Sequence, residues 1–131
     1  MREAKVTWAQ GADAKLRQDI AIGPHRLVGD EPPENGGDDA GPGPHELLGA
    51  ALAECTALTL KIYAQRKAWP LEHAEVRVAQ EKIDGVHHLH RTIVLRGPLS
   101  PEQRARLLDV AGKCPVHRTL TGKIEIDSVP E

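Results

Sequence analysis

Apolar and polar positions alternate at the start of the chain. Val6-Thr7-Trp8 and Leu16 to Ile22 read as strands joined by a turn near Gly11-Ala12-Asp13, and His25 to Val28 supplies a third. Residues 29–43 carry Gly29-Asp30-Glu31-Pro32-Pro33 and Gly36-Gly37-Asp38-Asp39, a composition that forms a loop. A loop of that length inside a small domain is often functional. Pro44 suits the first position of a helix, nearly every residue from there to Ala68 favours helix, and Trp69-Pro70 stops it. Leu48, Ala51, Leu52, Cys55, Leu58, Thr59 and Ile62 fall on one face of that helix. At 1.5 Å per residue it extends about 37 Å and is expected to be the central element.

Beyond the helix the period returns to two. Val76 and Val78 alternate with Glu75 and Arg77, Asp84-Gly85 is a tight-turn dipeptide, and Leu89, Ile93 and Leu95 continue on the return strand. Ser100-Pro101-Glu102-Gln103 combines a serine cap, a proline at the first helical position and a glutamine at the third. That helix fades at Gly112, and Cys114-Pro115 opens a further short turn of helix. Lys123 to Val129 is expected to close the chain as a strand with Ile124 and Ile126 turned inward. The pattern predicts an α+β domain. No boundary divides it, since neither side of the 29–43 loop carries enough apolar sequence to fold alone, so residues 1–131 are expected to form one unit.

Composition narrows the classes. The chain has 131 residues with 40% hydrophobic content, but no Phe, one Tyr and two Trp, so aliphatic side chains must fill its core. A core of that kind gives modest stability, and burial against a second copy is expected. A net charge of −2 offers no basic excess for a nucleic-acid backbone. No apolar run approaches the roughly 20 residues that span a bilayer, and Met1 to Lys5 lacks the apolar stretch of a secretory signal. The expected location is cytoplasmic. In that compartment two cysteines do not form a permanent staple; they are inert thiols or a working pair.

Taken alone, Cys55 on an apolar stripe reads as a small hydrophobe, because burial raises a thiol pKa and leaves less thiolate to react. Cys114 precedes Pro115 and so caps a helix, where free N–H groups and the dipole favour thiolate, and His117 and Arg118 add positive charge nearby. A capping thiol without further role fits it equally well. The two cysteines lie too far apart for a local redox motif, and spacing does not decide whether they meet. His87-His88 and His90 offer a strand at most two imidazoles per face and no third ligand, which fits a solvated hairpin rim rather than a metal site. The Gly36-Gly37 and Gly41-Pro42-Gly43 clusters lack the lysine of a phosphate loop.

Two stretches are recognisable together. Gly41-Pro42-Gly43-Pro44-His45-Glu46-Leu47-Leu48-Gly49-Ala50-Ala51-Leu52-Ala53-Glu54-Cys55-Thr56-Ala57-Leu58-Thr59-Leu60, followed by Lys113-Cys114-Pro115-Val116-His117-Arg118-Thr119-Leu120, resembles the OsmC/Ohr family, the osmotically inducible and organic hydroperoxide resistance proteins. The resemblance covers nearly the whole chain and points to an OsmC-like branch rather than to Ohr itself. It implies an α+β fold with antiparallel sheets packed on a long central helix, in an intertwined homodimer with two sites at the interface. It further implies that Cys55 attacks an organic hydroperoxide and that Cys114 resolves the sulfenic acid to a disulfide, which an external dithiol of the lipoyl type reopens; no bound cofactor or metal is implied.

In the same way it implies a thiol-activating arginine from the loop between the first strands and a glutamate at the start of the long helix. Here the turn Gly11 to Ala14 holds no arginine, and Arg17 is the nearest candidate, with Arg26 next. His45 stands where the family has its glutamate, and Glu46 beside it points about 100° around the helix. Arg17 and Glu46 are thus the catalytic partners that the resemblance leaves, and His45, Leu48 and Leu52 the residues it sets along the substrate groove. Two other readings fit the same scaffold: a binding or redox-sensing protein without efficient turnover, and a structural dimer with inert thiols.

Overall fold

The computed structural model describes residues 1–131, and the chain gathers into two compact units, residues 1–48 and residues 49–131. In the first, strands β1 (Ala4–Trp8), β2 (Gln18–Ile22) and β3 (His25–Gly29) form an antiparallel sheet in that order, with Val6 opposite Ile20 and Ile20 opposite Leu27. β2 begins two residues later than the alternation predicted. Beyond β3 the loop winds around the buried carboxylate of Asp30, which accepts from the N–H groups of Glu31 (2.8 Å), Ala40 (3.0 Å) and Asp38 (3.2 Å). A carboxylate with three backbone donors replaces the secondary structure that the glycines and prolines deny this segment. A single turn of 3-10 helix, Pro33–Asn35, is its only regular element.

Helix α1 runs from Pro44 to Lys67, with proline at its first position as expected. The Glu46 carboxylate accepts from the Gly43 N–H at 2.9 Å and so ties down the entry to the first turn. At the other end Ala68 takes a left-handed φ of 55°, and the Trp69 N–H returns to the Ala64 carbonyl. By length and composition alone α1 would suffice to cross a bilayer, contrary to the expectation that no segment comes near that length. Glu54 and Lys61 interrupt its apolar run, and Leu52, Thr56, Leu60 and Ala64 are buried within the protein.

In the second unit, β4 (His73–Ile83) and β5 (Val86–Arg96) form an antiparallel hairpin. Asp84 and Gly85 turn it with positive φ at both positions (48° and 79°), the geometry that an Asp-Gly pair favours. One face of the hairpin carries Ala74, Val76, Val78 and Gln80 opposite Leu95, Ile93, Arg91 and Leu89. Helix α2 (Pro101–Ala111) starts with the predicted reciprocal cap: Ser100 Oγ accepts from the Gln103 N–H at 3.1 Å, and the Gln103 side chain accepts from the Ser100 N–H at 2.9 Å. A short helix α3, Pro115–Thr121, follows Cys114. The core of this unit is Leu60 and Ala64 of α1 against Leu99, Leu107, Val110 and Ala111, flanked by Tyr63, Trp69, Leu71, Ile93 and Leu95.

Two expectations are corrected. The inward face of α1 carries Gly49, Leu52, Thr56, Leu60 and Ala64, roughly a third of a turn around from the predicted stripe. Leu58 and Ile62 on that stripe remain 53% and 45% exposed. The helix is apolar on most of its circumference, so periodicity did not single out the buried side. Gly49 shows what did: a Cβ there would lie 2.6 Å from Gln80 Nε2, so glycine lets the helix approach the hairpin. The second correction is the closing strand. Residues 122–131 form no strand, and Ile124, Ile126 and Val129 are exposed, because no strand of this chain pairs with them.

Candidate functional site

The two cysteines meet. Both thiols are free, and the Cys55 thiol lies close enough to the Cys114 sulfur to help hold it below the ordinary thiol range. Cys55 projects from the flank of α1, half-buried rather than enclosed as the stripe predicted, and its Sγ accepts from the Val116 N–H at 3.4 Å. Cys114 is fully buried. It caps α3 as expected: its Sγ accepts from the His117 N–H at 3.3 Å. The turn Cys114-Pro115-Val116-His117 thus gives one N–H to each sulfur, which fixes both relative to the helix end.

Behind Cys114 lies a polar chain that the sequence reading did not find. Thr56, fully buried next to Cys55 in sequence, sets its Oγ1 3.7 Å from Cys114 Sγ and donates to the Leu52 carbonyl at 2.7 Å. Arg91 Nη1 donates to the same oxygen at 3.0 Å, and Arg91 Nη2 donates to His117 Nδ1, also at 3.0 Å. A guanidinium only donates, so Nδ1 of His117 is the acceptor and the proton of the neutral ring sits on Nε2. Arg91 reaches inward because it occupies the apolar phase of β5, in step with Leu89, Ile93 and Leu95. An arginine at that point of the alternation was the available signal.

Burial pushes the Cys114 thiol up. Against it act the His117 N–H, the Thr56 hydroxyl, the Cys55 thiol and the Arg91 charge, and together they hold Cys114 below the ordinary thiol range. The arrangement therefore offers a reduced dithiol in which the inner sulfur is the more readily ionised than a free cysteine. Leu52, named in the sequence as a groove residue, lines a groove of about 270 Å³ with Leu89, Arg91, His117 and Leu120. His87 and His88 stand at the same groove.

The remaining candidates belong to the first unit. Arg17 is half-buried, and its charge helps the backbone donors lower the Asp30 carboxyl. Glu46 caps the loop at Gly43, His45 is exposed and Leu48 half-buried at the start of α1. The hydrogen bonds to the two sulfurs come from Thr56, Val116 and His117.

The geometry defines a small α+β protein with a paired-thiol site between a long helix and a Cys-Pro turn. The chain belongs to the OsmC-like protein family, whose profile matches residues 36–129. No curated protein sequence matches it significantly. Solved structures share its fold. An OsmC-like protein from Mycoplasma pneumoniae is 21% identical with a TM-score of 0.75, over 93% of this chain and 88% of that one. An organic hydroperoxide resistance protein OsmC from Legionella pneumophila is 20% identical with a TM-score of 0.66, over 93% and 90%. The organic hydroperoxide resistance protein OhrB of Bacillus subtilis is 23% identical with a TM-score of 0.59, over 92% and 91%. Thus the expected fold, antiparallel sheets with a long helix in the OsmC manner, is the one observed.

Proposed function

We propose that this protein is a thiol-dependent peroxidase that reduces organic hydroperoxides in a cytoplasmic stress response. The observation that carries the reading is the meeting of two reduced sulfurs from distant parts of the chain, one half-exposed and one buried and held toward thiolate. Membership of a family that includes proteins named for organic hydroperoxide resistance supports it. Cys55, the more accessible sulfur, attacks the outer peroxide oxygen as thiolate. The O–O bond breaks, the alkoxide takes a proton and leaves as alcohol, and Cys55 becomes a sulfenic acid. Cys114 thiolate then attacks the Cys55 sulfur, an S–S bond forms and hydroxide leaves to become water. An external dithiol, of the lipoyl kind, restores both thiols by exchange and is itself oxidised.

The protein works as a homodimer and needs no metal, nucleic acid or membrane. Support for the dimer comes from apolar surface that a single chain leaves open: Leu58 and Ile62 on α1, Val6, Trp8 and Leu27 on the first sheet, and Ile124, Ile126 and Val129 in the last ten residues. Residues Leu52, Leu89 and Leu120 suit an apolar substrate tail.

Purified protein mixed with cumene hydroperoxide and dihydrolipoamide is expected to consume peroxide over many turnovers, and Cys55→Ser to abolish it. A second reading, a redox-sensing or ligand-binding protein without efficient turnover, is favoured by Glu46, whose carboxylate is engaged by Gly43. Oxidation of both thiols in one stoichiometric burst without turnover supports redox sensing; thiols that resist peroxide at neutral pH exclude both the peroxidase and the redox sensor.

A further inference from the structure

Arg91 has no part in the steps above, yet it is an arginine set in the apolar phase of β5 with both terminal nitrogens committed. One holds Thr56 Oγ1, the other His117 Nδ1, and both of those residues also hydrogen-bond to Cys114, Thr56 through its side chain and His117 through its N–H. We propose that Arg91 is a positioning residue for the resolving step: acting through Thr56, it prepares buried Cys114 to attack the modified Cys55 sulfur. This rests on the paired-thiol reading of the same site and gives it the cation that Cys114 needs.

The Thr56 hydroxyl has one proton and three neighbours. While Cys114 is a thiol, that proton is spent on the Leu52 carbonyl at 2.7 Å, and the S–H points to the oxygen 3.7 Å away. When Cys114 ionises, the hydroxyl turns its proton to the sulfur, and the Leu52 carbonyl keeps its helical N–H partner. The oxygen can make this exchange in place because Arg91 Nη1 donates to it throughout. The charge of Arg91 favours the ionised state, in a place where burial otherwise opposes it. The groups facing Cys114 are Cys55 and Thr56 from α1, Arg91 from β5 and His117 from α3.

Resolution can be timed without peroxide. The aromatic disulfide DTNB caps half-exposed Cys55 and releases one thionitrobenzoate. Attack by Cys114 on the capped sulfur then forms the intramolecular S–S bond and expels a second. In Arg91→Met and in Thr56→Val the second release, timed from the completed first release, is expected to slow roughly five- to tenfold at neutral pH. The pH at which the second release reaches half its maximal rate should move upward in both. Thr56→Ser, which keeps the hydroxyl, restores the second release, and the double variant Arg91→Met/Thr56→Val is slowed by less than the product of the two single effects. Circular dichroism and urea midpoints establish that each variant is folded. A second release at wild-type rate and pH in folded Arg91→Met overturns the proposal. Peroxide turnover is scored separately, so a wild-type protein that closes its disulfide after DTNB but ignores cumene hydroperoxide refutes the peroxidase and leaves Arg91's role intact.

Discussion

Thr56→Val tests the buried polar chain on stability as well as chemistry. The change keeps the shape of the side chain, so no cavity forms at this fully buried position, and what is removed is the oxygen. Three hydrogen bonds go with it. The one to the Leu52 carbonyl costs little, since that carbonyl retains the N–H of residue 56 within the helix. The one to Cys114 is long at 3.7 Å. The Arg91 bond decides the outcome: at 3.0 Å it serves a charged donor, and such bonds contribute about 1.5–3 kcal/mol. Arg91 is only half-buried and keeps His117 on its other nitrogen, which favours the lower end, a loss of about 1.5 kcal/mol.

A double-mutant cycle isolates that bond. Removing Arg91 as well takes away the donor that Thr56→Val leaves unsatisfied, so Thr56→Val should cost at least about 1 kcal/mol less in an Arg91→Met background than alone. Urea unfolding of reduced protein at one fixed concentration, followed by fluorescence and circular dichroism together, measures all four corners. Additive effects within about 0.3 kcal/mol would refute the claim that Arg91 and Thr56 act as a unit.

Leu107→Ala, which empties a fully buried core position between α1 and α2, is expected to destabilise the protein by about 2–5 kcal/mol in the same urea assay, and a cost under about 1 kcal/mol would place the core elsewhere. Asp30 ties its own loop, and its carboxyl is lowered by the N–H groups of Ala40, Glu31 and Asp38, with Arg17 adding to them. A lowered carboxyl stabilises the fold above its unfolded pKa and loses that contribution as pH falls through the folded value. Asp30→Asn should therefore be less stable than wild type at pH 7, with faster amide exchange at Asp38 and Ala40, and the gap should begin to narrow only as pH falls below about 4. A gap independent of pH would show that the carboxylate charge is not what orders the loop.

Most local structure was legible because its causes are local. Pro44 opens α1, Asp84-Gly85 turns the hairpin, Ser100 and Gln103 cap α2 and Cys114 caps α3 through contacts between residues a few positions apart. The buried side of α1 was misplaced because the helix is apolar nearly all round, and only the hairpin and α2 choose between its faces. The last ten residues have a strand's alternation but no strand to pair with in this chain. Alternation sets which side chains share a face, whereas a ladder needs a second backbone.

The sequence by itself determined the α+β class, the family and the identity of the two thiols, since these are carried by local propensity and by two motifs. It could not determine which groups surround those thiols. Arg91, Thr56 and His117 come from β5, α1 and α3, and their hydrogen bonds exist only once the hairpin lies beside the helix. Nor could it settle burial: Cys114, beside a proline in a short polar turn, is enclosed, while Cys55 on an apolar stripe is not. Desolvation and donor placement set thiol reactivity, and both are properties of the assembled neighbourhood rather than of the residue.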